Sequence, residues 1–101
     1  MGRQEVRRAA LAATQAAGFV ITSGVRTPQQ NAAVGGAPNS GHLFGLAYDA
    51  GPKGGWAPAG SRERQAQMAR ILDEASRQGL KVLFHQVPGG AFHAHLSQTG
   101  R

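Results

Sequence analysis

The sequence predicts a small α+β domain: a short, mostly antiparallel sheet with helices packed on one face. Three observations predict it. The chain has 101 residues, which suits one domain, 1–101, with a single modest core. Two segments carry apolar residues at helical spacing, and four short segments between turn signals read as strands. The last two of those strands are separated by Pro88-Gly89-Gly90, a turn that suits an antiparallel hairpin.

Taken in order, residues 3–17 read as the first helix. Val6, Ala9, Ala10, Ala13 and Ala17 fall on one helical stripe. Gly18 follows where a C-terminal capping glycine belongs. Arg7-Arg8 before an Ala-rich stretch loosely imitates a twin-arginine export signal. Thr14 and Gln15 interrupt that stretch, so a structural helix explains it better. The expectation is a chain made in the cytoplasm without a signal of its own. Phe19 to Ser23 is a strand, and Arg26-Thr27-Pro28 is a turn. Pro28 is placed to open a short helix through Ala33. Residues 35–41 form a loop, Leu46 to Ala50 a strand, and 51–60 a second loop.

Ser61 is a good cap for a second long helix, which runs to about Gln78 and ends at Gly79. Its expected apolar face is Met68, Ile71, Leu72 and Ala75. Leu80 to Phe84 and Phe92 to Leu96 are the hairpin strands.

Composition narrows the chemistry. The chain has no Cys, which excludes disulfides, thiolate metal sites and cysteine nucleophiles. Eleven Lys and Arg against five Asp and Glu give a net charge of +6. Such a surface suits a polyanion, an anionic cell-wall polymer among them, or serves solubility alone. Nucleic-acid binding would rest on charge only, because no recognition helix or basic aromatic strand face is evident. No apolar run approaches the ~20 residues of a transmembrane segment.

The four histidines are His42, His85, His93 and His95, and none falls in a long helix. Asp49 is the one carboxylate outside the long helices. Gly45 permits a sharp turn between His42 and the strand that carries Asp49. Ala47 and Asp49 share one strand face, and the small Ala47 leaves room beside the carboxylate. His93 and His95 likewise share one face. Two imidazole-bearing segments and one carboxylate around a divalent ion leave a coordination position open, the pattern of a catalytic zinc site. Water bound there becomes a nucleophile near neutral pH. Scattered surface or core residues are the alternative. Two His and one carboxylate also suit non-heme iron, but in larger double-sheet folds. GGAPNSG lacks the Gly-Lys-Ser/Thr ending of a phosphate loop, and HExxH is absent.

These residues match a family pattern. Ser40-Gly-His42-Leu-Phe-Gly45-Leu-Ala47-Tyr-Asp49 fits S-x-H-x-x-G-x-A-x-D, and His93-Ala-His95 fits a closing H-x-H. Ser23-Gly24-Val25-Arg26-Thr27-Pro28 looks like the S-G-Y-R-[ST]-P segment that precedes them. Over roughly residues 19–97 the chain resembles the M15-type zinc peptidases. These include D-Ala-D-Ala carboxypeptidases and the L-alanyl-D-glutamate endopeptidases of phage endolysins; the Hedgehog signalling domain shares their fold.

The resemblance implies one Zn²⁺ held by His42, Asp49 and His95. It implies that His93 stabilises the reaction's oxyanion or carries a proton. Arg26 and Ser40 would bind substrate, which the guanidinium fork suits; a solvated charge and a loop hydroxyl bonded to nearby backbone are the alternatives. The substrate would be the stem peptides of peptidoglycan, with the cell wall as site of action, reached after release by a holin or as part of a phage particle. One departure stands out. The family usually carries a Glu or Asp shortly before the last His, as general base. Residues 75–101 contain neither. His85 would be the substitute base, or else a strand-end His in a domain that keeps the fold and hydrolyses poorly, such as a virion component. Trp56, in the loop after Asp49, would either stack on substrate or cap the core.

Overall fold

A computed structural model describes residues 1–23, 45–86 and 91–99. Helix α1 (Arg3–Ala17) begins where Glu5 reaches back to accept a hydrogen bond from the Gly2 N–H at 3.2 Å. Its buried stripe is Val6, Ala9, Ala10, Ala13 and Ala17, as the periodicity predicts. Thr14 joins that stripe because its hydroxyl donates to the Ala10 carbonyl at 2.8 Å, which satisfies it inside the helix. Gly18 ends the helix at φ 74°, a left-handed conformation that costs a glycine little.

Strand β1 (Phe19–Ser23) follows at once. Strand β2 (Ala47–Pro52) starts one residue later and ends two residues later than the expected Leu46–Ala50. Phe19 pairs with Pro52 and Val20 with Gly51, so pairing with β1 carries this segment past the point where Gly and Pro signal a loop. Proline is tolerated there because the Lys53 N–H, not position 52, makes the bond to Gly18 beside β1, and β4 pairs with β2 only as far as Ala50.

Helix α2 (Arg62–Arg77) is capped by Ser61, whose hydroxyl oxygen accepts from the Arg64 N–H at 3.1 Å. At its end the Gly79 N–H bonds the Ser76 carbonyl and the Leu80 N–H bonds the Ala75 carbonyl. This Schellman arrangement delivers the buried Leu80 into the core. Ile71 and Ala75 are buried, but Leu72 is 46% exposed. The expected apolar face therefore narrows to the Met68–Ile71–Ala75 stripe, with Leu72 about 100° round the helix from Ile71.

Strands β3 (Lys81–Gln86) and β4 (Phe92–Ser97) form the expected antiparallel hairpin. The sheet order is β1-β2-β4-β3, with every neighbour antiparallel. Phe19, Ala50, Ala94 and Leu96 lie in one core with residues of both helices. Alternation turns Asp49, His93, His95 and His85 to the opposite face of the sheet. The expected turn at Arg26-Thr27-Pro28, the short helix to Ala33, the 35–41 loop and the turn at residues 88–90 lie outside the described residues. Among the described residues no helix is long and apolar enough to cross a membrane.

Candidate metal and catalytic site

Strand register assembles the site. Asp49 on β2 lies opposite His95 on β4, and His93 on β4 lies opposite His85 on β3. The two central strands, β2 and β4, thus carry Asp49, His93 and His95. Strand β3 adds His85 from one side. Gly45 stands at φ 68°, which turns the chain into β2 just ahead of Ala47. Ala47 is fully buried on the same face as Asp49, and its small side chain leaves the carboxylate room.

Asp49 and His95 are each only 6% exposed. A buried carboxylate is costly without partners, and two imidazoles lie against this one. His95 Nδ1 is 3.3 Å from Asp49 Oδ1, and His93 Nε2 is 3.6 Å from the same oxygen. In the absence of a metal, His95 Nδ1–H donates to the carboxylate. The arrangement also fits a shared ion. Two atoms bound to one tetrahedral Zn²⁺ at about 2.0–2.1 Å sit about 3.3–3.4 Å apart. The imidazole and carboxylate donors are of the kinds zinc takes.

His93 is held at both ring nitrogens. Its Nδ1 lies 3.2 Å from the Ala91 carbonyl oxygen, which can only accept, so Nδ1 carries the proton. In the neutral ring Nε2 is then an acceptor. It lies 3.1 Å from His85 Nε2, which donates to it. The two rings meet nearly edge-on, with centroids 4.1 Å apart. The ring of His85 is also 6.1 Å from that of His95. His85 is therefore not an isolated strand-end residue. It joins the histidine row because β3 runs two residues beyond the expected Phe84. His85, His93 and Asp49 thus lie in one row of proton-binding groups.

Three of the residues singled out in the sequence, Arg26, Ser40 and His42, lie outside the described residues. The structure brings the other four together. Among the described residues no group of three or more His, Asp or Glu side chains holds a metal ion by itself. Asp49 and His95 would share the ion with a ligand from elsewhere, the position expected for His42.

Trp56 caps the core. It makes edge-to-face contacts with Phe19 at 5.4 Å and Phe92 at 4.7 Å between centroids. Arg64 covers this cluster, 4.5 Å from the Phe92 ring centre, and its Nε donates to the Ala57 carbonyl at 2.8 Å. Gln67 binds the same loop, accepting from Ala57 N–H at 2.9 Å and donating to the Gly55 carbonyl at 3.2 Å. Leu83, not singled out in the sequence, lies opposite His95. The signal was present: Leu83 is two residues before His85 on one strand and shares its face.

No curated protein and no solved structure is significantly similar to the chain. The family model described as Peptidase M15 matches residues 7–87. The match runs from α1 through β3 and takes in Ser40, His42, Asp49 and His85, while His93 and His95 lie beyond its end. With most of its length matched, and with Asp49 and the histidine row gathered on one sheet face, the chain belongs to the Peptidase M15 family.

Proposed function

We propose that this peptidase-family domain hydrolyses a peptide bond in peptidoglycan stem peptides, with one Zn²⁺ held by His42, Asp49 and His95. The observation that carries the reading is the convergence of Asp49, His95, His93 and His85 on the sheet face opposite the one that packs against α1 and α2. When bound, zinc supplies a Lewis acid and an acidified water. The chain's own residues do the rest. The sheet sets Asp49 and His95 opposite one another on neighbouring strands, where both would hold the ion once His95 Nδ1 gives up its hydrogen bond to the carboxylate. His93 in its protonated form donates to the oxygen on which negative charge develops. His85, with its Nε2 3.1 Å from His93 Nε2, is the base that replaces the missing carboxylate. Arg26 and Ser40 bind the substrate's carboxylate or carbonyl groups. The net charge of +6 favours residence on an anionic cell wall.

A second reading has one observation in its favour. Residues 75–101 carry no Asp or Glu, which suits a domain that keeps the fold and binds without turnover.

Digestion of purified sacculi separates the two. Zinc-loaded protein should release stem peptides or remove terminal D-Ala, as read by mass spectrometry. Chelated protein and His95→Ala should release nothing. Stoichiometric zinc in a folded protein that yields no product would remove the hydrolytic reading and leave the binding module.

A further inference from the structure

The sheet face opposite α1 and α2 places a large apolar side chain among the histidines. Leu83 on β3 lies directly opposite His95, and His95 lies opposite Asp49. Cross-strand partners hold their Cβ atoms about 4.5–5.5 Å apart. His85 follows two residues later on the same strand and face. His95 is 6% exposed, whereas Leu83 is 50% exposed. The boundary between the enclosed site and solvent therefore runs between these two neighbours. Single exposed leucines are ordinary on protein surfaces. Leu83 is set apart by its place in the Asp49–His95 row, with the polar Lys81 and His85 on either side of it on the same face.

We infer that Leu83 is a specificity-determining contact, packing against an aliphatic side chain of the peptide beside the cleaved bond. This rests on the peptidase reading above. A peptide seated with its reacting carbonyl at His93 and His85 lies within reach of the Leu83 side chain. Covering that side chain removes apolar surface from water and buries no polar group. The contact is the same in ground state and transition state, so it acts on KM and not on kcat.

Zinc-loaded wild type, Leu83→Ser and Leu83→Ile should be compared on a synthetic stem peptide. Turnover is one readout, and binding followed by the Leu83 methyl resonances is the other. Leu83→Ser should raise KM and Kd about tenfold, the scale of a lost apolar pocket contact, with kcat changed less than about twofold. Leu83→Ile should keep wild-type values, and zinc content and melting temperature should not move in either variant. Wild-type KM and Kd in Leu83→Ser, or Leu83 methyls that stay unshifted on peptide addition, would overturn the inference. Wild type that binds the peptide with shifted methyls yet never cleaves it keeps the contact and removes the hydrolytic reading. Cleavage with an unchanged KM in Leu83→Ser does the reverse. Wild type that neither binds nor cleaves removes both.

Discussion

Leu96 and His95 are neighbours on β4 and face opposite sides of the sheet. Both are buried, at 0% and 6% exposure, so burial does not distinguish the two faces. What differs is the chemistry of what is enclosed. The helix-packed face encloses Phe19, Ala50, Ala94 and Leu96, whose value lies in apolar area removed from water. The opposite face encloses a carboxylate and imidazoles, which are worth little to stability unless they satisfy one another. One set of strands thus holds the fold together on one side and presents donor groups on the other. A substitution should therefore act on stability or on chemistry according to the parity of its position.

The largest effect on stability belongs to the core side. Leu96→Ala should cost about 2–5 kcal/mol, a large share of the ~5–15 kcal/mol that small domains possess. Denaturant melts measure it. The folded fraction should still bind zinc with wild-type stoichiometry. Loss of zinc binding by molecules that remain folded would show that the two faces are not separable.

On the other face, metal should stabilise the fold by mass action. Zinc at a free concentration of 100 Kd adds about 2.7 kcal/mol if only the folded state binds it. Calorimetry should show a higher melting temperature with zinc for wild type and no such rise for Asp49→Ala. A rise that survives Asp49→Ala would mean that the carboxylate is not a ligand, and the face would then need another account.

How much of this was legible in the sequence follows the same division. Helix α1, its Gly18 ending and the Ser61 cap are legible because they depend on local spacing and single capping groups. The Asp49 and His93/His95 pairs are legible because period two along a strand fixes which residues share a face. Tertiary pairing accounts for what was not legible. Pro52 reads as loop until β1 pairs with it. Trp56 suits substrate stacking or core capping equally until Phe19, Phe92 and Arg64 are found around it. His85 reads as a strand end until β3 extends far enough to set it opposite His93. Leu72 has helical spacing from Met68 but lies off the line along which α2 meets the core, a matter of rotation that spacing alone leaves free.

The smallest effect expected is the most searching test of separability. Ser61→Ala removes the acceptor of the Arg64 N–H and should cost about 1 kcal/mol, read from denaturant midpoints at constant slope. Zinc binding and turnover should be unchanged, because Ser61 lies at the start of a helix on the core side. The residue it caps is not an inert one. The Arg64 side chain covers Phe92 and holds the Ala57 carbonyl, and Phe92 immediately precedes His93. If the cap does no more than satisfy one N–H, stability falls by that amount and the site does not notice. A cost well above about 2 kcal/mol, or a fall in turnover at full zinc occupancy, would place the start of α2, the aromatic cluster and the histidine row in one cooperative unit.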